Sequence, residues 1–347
     1  MTLQACSPDP DETATSTVAA VPPGASLVKC GVVLPVGGPD DWDGGMVESP
    51  VTWYDEARGG YGMVYTGYDL AFPDQRGYES VGGPKIGLAW SEDLLTWRKD
   101  PRSPILGPSG VLGSPDEAGS TGPFMWVEDG TYYMFYFGTT ADGYEGGRKT
   151  MNVATSTDLV SWERYEGNPI IEPAGDGWRR DQIWHPHVQK VDSTYYLFFN
   201  ASGILDGKVE EFIGVASSPD LFEWTVDDEN SPLVAGSFEP GAWDSSGRAG
   251  DPSLYRIGDT WYMAYYSWDR VSSQDGLAMT SADDFPLGWE PYEGNPVLPL
   301  GAPGDFDGLH AGKPHIERTD DRHFHFYTAV DTMETRQIAV AVEPGPC

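Results

Sequence analysis

The sequence predicts an all-β fold of five similar antiparallel sheets closed into a ring, and three observations predict it. One short pattern of residues recurs four times, starting at Ser91, Ser156, Ser218 and Ser281, so the starts lie 65, 62 and 63 residues apart. A fixed period of that length means one supersecondary unit repeated, each copy burying its apolar face against its neighbours. Tyr, Trp and Phe supply 13% of the 347 residues, and there are 43 Gly and 29 Pro. That is the make-up of many short strands joined by tight turns, not of helices. Finally, the last unit lacks the recurring pattern, and the chain stops one strand short of completing it.

Each element of the repeat has a physical reading. Ser and Asp open a tight turn by bonding their own backbone. Trp97, Trp162, Trp224 and Trp289 then fall at matching positions, as wedges between units would. A proline followed by two aliphatics, as in Pro169-Ile170-Ile171 and Pro296-Val297-Leu298, breaks the outer edge and re-enters the core. Between these turns lies a second recurring element, a strand carrying a proline: Glu48-Ser49-Pro50, Thr121-Gly122-Pro123, Trp184-His185-Pro186, Gly250-Asp251-Pro252 and Gly312-Lys313-Pro314. Aromatic strands follow at 62–65, 131–136, 194–199, 260–266 and 323–327, then short apolar strands such as 86–89 and 213–216. The strand missing from unit five can come from residues 26–34, and letting one terminus complete the last sheet removes an exposed edge. Cys30 and Cys347 sit near the two ends of the folded part, and a bridge between them would clasp that closure. Their spacing alone permits the bridge without fixing it.

Length would allow two domains, but the repeat favours one large all-β domain. The net charge is −33, with acids spread along the whole chain. Phosphate would be repelled, so no nucleic-acid partner is expected. Solubility, or life in salty surroundings, accounts for the acidity. No run of eighteen apolar residues exists to span a membrane. Leu3-Gln4-Ala5-Cys6 resembles the lipobox of bacterial lipoproteins, and the polar stretch 7–24 resembles the tether that follows one. The charged and apolar parts of an export signal are absent, so a lone Cys in a disordered leader is the competing reading. The chain thus divides into a leader and linker over 1–25 and one domain over 26–347. The expectation is an exported monomer, secreted or anchored outside the cytoplasm by a membrane tether through lipidated Cys6, where a disulfide is permitted.

The Ser-x-Asp-Leu-x-x-Trp turns, the Asn-Pro re-entries and the Tyr-Tyr strands together resemble the five-bladed β-propeller glycoside hydrolases. That superfamily takes in arabinanases and xylosidases, invertases and levansucrases, neoagarooligosaccharide hydrolases and mannoside phosphorylases. The resemblance covers about residues 26–347 and implies a five-bladed β-propeller acting on an oligosaccharide or polysaccharide. It speaks to the fold more than to the reaction, because propellers are shared scaffolds.

In such a propeller the innermost strand of each blade lines a central channel, so the five proline segments should face one another. Blade one brings Asp41, Asp43 and Glu48; blade three brings Arg180, Asp181, His185 and His187. Blade four brings Arg248 and Asp251, blade five His310, Lys313 and His315, and blade two only Ser120 and Thr121. Four of the six histidines lie on these segments. Glycoside hydrolysis needs two carboxyl groups flanking the scissile bond, one protonated and one ionised. The resemblance implies three acids, from blades one, three and four, and the nearest matches are Glu48, Asp181 and Asp251. Glu48 is then the base or nucleophile and Asp251 the proton donor, while Asp181, beside Arg180, orients the sugar and biases its neighbours.

The match has departures. Ser49 and His185 stand where arabinanase-type enzymes carry Asp before proline, and Gly250 stands where they carry the blade-four Glu. An acid on blade four with a histidine on blade five is closer to the neoagarooligosaccharide hydrolases, which makes His310 a second candidate acid. Trp184 is the candidate sugar-stacking platform, with core packing as its competitor. Arg180, His185, His187, Arg248, Lys313 and His315 are candidate substrate contacts, Lys313 with the further option of neutralising Asp251. Asp43, like Asp244, competes with a plain turn-capping role. No tight ligand spacing argues for zinc, so no cofactor is expected beyond a structural cation that channel histidines could hold. Two rival functions remain: a phosphorylase whose Arg, Lys and His groups hold phosphate, and a non-catalytic glycan-binding propeller.

Overall fold

The computed structural model of the protein describes residues 22–69 and 83–347. Cys6 and the lipobox-like leader lie outside the described residues. Twenty strands and no helix are found among the described residues, arranged as five four-stranded antiparallel sheets. Blade one is β2 (Met46–Asp55), β3 (Gly60–Tyr68), β4 (Lys85–Ser91) and β5 (Arg98–Lys99). Blade two is β6 (Gly119–Glu128), β7 (Thr131–Thr139), β8 (Lys149–Ser156) and β9 (Glu163–Arg164). Blade three is β10 (Gln182–Val191), β11 (Thr194–Leu205), β12 (Lys208–Ser218) and β13 (Thr225–Val226). Blade four is β14 (Gly250–Ile257), β15 (Thr260–Trp268), β16 (Ser273–Ser281) and β17 (Glu290–Pro291). Blade five is β18 (His310–Arg318), β19 (His323–Val330) and β20 (Arg336–Glu343), completed on its outer side by β1 (Val28–Leu34). β1 pairs antiparallel with β20, Val28 opposite Val342. The molecule is a five-bladed β-propeller whose first strand closes the last blade, and Cys30 is bonded to Cys347 beside that seam.

The recurring turns behave as their chemistry dictates. Ser91, Ser156 and Ser218 each accept the backbone N–H groups two and three residues on, and the Asp that follows accepts the next two. The tryptophan then leaves its own blade. Trp97 meets Phe326 of blade five, Trp224 meets Phe135 of blade two and Trp289 meets Phe198 of blade three, all edge-to-face at 5.8–6.1 Å. Each indole N–H donates to a backbone carbonyl of its own turn, that of Leu94, Leu221 or Pro286. After the turn, Asn168 and Asn295 bond Val153 and Leu277 through both amide atoms, imitating one more strand before the backbone runs inward.

The innermost strands share one distortion. A register shift interrupts β2, β6, β10, β14 and β18 at the proline. The residue before that proline is left-handed in all five, with φ of 54° at Ser49, 55° at Gly122, 47° at His185, 53° at Asp251 and 59° at Lys313. For the four that are not glycine that region is doubly disfavoured, by the Cβ and by the following proline. Three of the five are held there by the preceding blade: Ser49 N–H donates to Thr328 Oγ1, Gly122 N–H to Thr66 Oγ1 and Asp251 N–H to Asn200 Oδ1. The bulge re-aims one side chain in four of the five blades, and those of Ser49, His185, Asp251 and Lys313 gather at the channel.

Candidate active site

One end of the channel opens into a cavity of about 280 Å³ lined by residues of blades two to five. His185 and Lys313, both products of the bulge, stand together there with Lys313 Nζ 3.3 Å from His185 Nε2. Asp251 approaches His185, its Oδ1 3.5 Å from Nε2. Glu145, from the β7–β8 connection, approaches it too, its Oε1 3.9 Å from the same nitrogen. Lys313 Nζ is 3.4 Å from Glu145 Oε1 and 3.4 Å from Glu48 Oε1.

The two acids beside His185 are biased in opposite senses. Burial pushes the Asp251 carboxyl above the ordinary carboxylate range, against the pull of His185, Lys313 and the Asn200 amide. Burial acts on Glu145 in the same direction, but the charge of Lys313 and the nearby His185 prevail and hold it well below that range. Asn200 clamps Asp251 from both sides, its amide N donating to Oδ1 at 2.6 Å while its oxygen accepts the Asp251 N–H. The same Asn200 nitrogen donates to Glu211 Oε1 at 2.9 Å, and Tyr266 donates to Glu211 Oε2. Burial and the neighbouring Asp251 raise Glu211 as well. Gly250 is required beside this pair, since a Cβ there would meet Tyr266 at 2.5 Å and Asn200 at 2.6 Å.

Glu48 is placed differently. It is fully buried, its Oε2 accepting from Arg336 at 3.1 Å and from Tyr144 at 3.3 Å. Aromatic and cationic groups ring the opening. Trp184 lines it with Lys149 above its face, and Trp268 lines it with the Arg248 guanidinium 4.6 Å from its ring centre. Arg248 also pairs with Glu210 at 3.0 Å. His310 accepts the Ser273 N–H on Nδ1, which places the ring proton on Nε2. Burial, reinforced by Arg336, takes His310 down to about 4, so at neutral pH it is an uncharged donor rather than an acid.

Several residues singled out in the sequence lie elsewhere. Asp181 is paired with Arg180 at 2.7 Å, both of them about one-third exposed, and neither lines the cavity. Asp43 is buried in blade one, where it accepts from Tyr65 and pairs with Lys99 at 2.7 Å. Asp116 and Asp307 repeat that arrangement with Tyr136 and Tyr327 and with Arg164 and Lys29, so Asp43 is a blade-building residue. His187 and His315 line the narrow channel behind the cavity, His187 accepting the Leu254 N–H and His315 contacting the Thr52 carbonyl. Blade two, which offers only Ser120 and Thr121 on its inner strand, contributes Tyr144 and Glu145 through a loop. Glu145, Glu211, Tyr266, Asn200 and Arg336 escape a reading confined to inner strands. Their one local signal is an acid in an unusual setting, Glu145 before two glycines and Glu211 just ahead of the Ile213-Gly214 strand. Among the described residues, no group of three or more His, Cys, Asp or Glu side chains could hold a metal ion.

No family model and no curated protein matches the sequence. Solved structures do match. The protein is similar to BT0996 in an RGII complex and to a glycoside hydrolase, each at 21% identity, with TM-scores of 0.74 and 0.75. Both matches cover 92% of this protein and 93% of the other. It is also similar, at 16% identity and a TM-score of 0.64, to a structure from a family of mannoside phosphorylases that contains glycoside hydrolases targeting β-1,2 mannosidic linkages in Candida mannan. That match covers 93% of this protein and 95% of the other. The shared property is the five-bladed propeller fold.

Proposed function

We propose that the protein is a glycoside hydrolase acting on an oligosaccharide at the mouth of its channel. The observation that carries this reading is the gathering around His185 of a carboxyl held towards its protonated form, Asp251, and a carboxylate cluster about Lys313. Acids driven apart in this way are the recurring signature of proton donor and ionised partner. Asp251 supplies the proton to the leaving oxygen. Glu145 is the ionised partner, and Glu48 stands beside it at Lys313. Trp184 and Trp268 offer flat faces to the apolar faces of a sugar, and His310 Nε2–H is placed to donate to a hydroxyl. The similar structures add support for a carbohydrate substrate, since one is a complex with RGII and others are named glycoside hydrolases. The Cys30–Cys347 bond favours an exported protein.

A phosphate-dependent reaction is less well served. The cations it would need are committed to acids, Lys313 and Arg336 to Glu48 and Arg248 to Glu210. The test is turnover of arabino-, fructo-, xylo-, galacto- and agaro-oligosaccharides with and without phosphate. Wild-type cleavage independent of phosphate, lost in Asp251→Asn, is the expected result. Binding without turnover across the panel would instead mark a glycan-binding propeller.

A further inference from the structure

Two glutamates flank Lys313, and their surroundings differ. Glu48 has no solvent-exposed side-chain surface, and Arg336 and Tyr144 both bond its Oε2. A sugar reaching it would have to displace both. Glu145 keeps 12% of its side chain exposed and lines the cavity. Its backbone sits at φ 47°, a left-handed conformation that a non-glycine residue adopts at a cost of roughly 1–3 kcal/mol. The loop beside it is tightly wound, since a Cβ on Gly146 would meet the carbonyls of Asp142 and Ala141 at 2.3 and 2.4 Å. A strained backbone in a closely wound loop, carrying an acid that approaches the same His185 nitrogen as Asp251, is the arrangement of a preorganised reactive group.

Resting on the hydrolase reading, we infer that Glu145, and not Glu48, is the carboxylate that works opposite Asp251 on the scissile bond. Glu145 accepts a proton from a water whose oxygen bonds to the anomeric carbon. The glycosidic C–O bond breaks as it forms, and the leaving oxygen takes the Asp251 proton, so one water adds across the bond. Glu48 is a positioning residue, fixing Lys313 and Arg336 beside the reacting carbon.

The experiment compares Glu145→Ala with Glu48→Ala on 4-nitrophenyl glycosides of the sugars above, with and without sodium azide. Glu145→Ala should lose about 10²–10⁴-fold in kcat and recover part of it with azide, which fits the space vacated in an open cavity. Glu48→Ala should melt at a lower temperature and gain nothing from azide, because the space it leaves is closed. Wild-type cleavage with Glu145→Ala within about threefold of it, or azide rescue of Glu48→Ala alone, would overturn the assignment and leave the hydrolase reading standing. A wild type that cleaves nothing in the panel would overturn that reading, and the assignment with it.

Discussion

Asp251 carries three constraints at once: a left-handed backbone before proline, a two-sided clamp by Asn200, and burial beside Glu211. Together they hold its carboxyl near His185, and burial favours the protonated form against the opposing pull of the Asn200 amide. A donor works only while protonated, so turnover should fall as pH rises through the raised Asp251 value, placing the alkaline limb of the kcat/KM profile above the ordinary carboxylate range. A profile of hydrolysis rate between pH 4 and 9 measures this, and a limb at the ordinary value would contradict the assignment. Asp251→Asn should cost about 10²–10⁴-fold in kcat while leaving the melting temperature near wild type, because Asn can retain the Asn200 contact at Oδ1. A loss of fold in place of a loss of rate would show the group to be structural.

At the scale of elements, the tryptophan turns hold neighbouring blades together. Trp289 is buried against Phe198 and bonds the Pro286 carbonyl, so Trp289→Ala should cost about 3–5 kcal/mol, read from denaturant unfolding. The blade-one counterpart of Phe198 is Val64, and the Trp162 indole N–H has no hydrogen-bond partner among the described residues. Trp162→Ala should therefore cost less, and equal losses would refute the wedge account. These turns were legible in the sequence because Ser, Asp and Trp act within seven residues of one another. The inner-strand prolines were legible for the same reason, and they placed His185, Asp251 and Lys313 at the channel. Glu145 was not legible, because its partners are Lys313, 168 residues away, and His185 on another blade. Nor was the burial of Asp43, whose meaning depends on Tyr65 of the second strand and Lys99 of the fourth. Resemblance pointed to Asp181 through its neighbouring Arg180, but that pair spends its charge on itself at the surface.

For the whole molecule, the ring is closed by backbone pairing of β1 with β20 and by a disulfide spanning 317 residues. A cross-link over so long a loop should contribute about 2–5 kcal/mol. Cys30→Ser should lower the melting temperature, and reductant should shift the wild type by the same amount but leave the variant unmoved. Thermal melts of both proteins with and without dithiothreitol measure this, and an unshifted wild type would refute it. The seam also sets an order on biosynthesis. β1, which covers the outer side of blade five, leaves the ribosome before the other four blades, and β20, the edge it must cover, leaves after them. While blades one to four are made, the nascent polypeptide therefore carries an orphan strand and no acceptor for it. Any truncation that removes β20 strands both, leaving an open crescent with bare sheet edges ready to pair with another molecule.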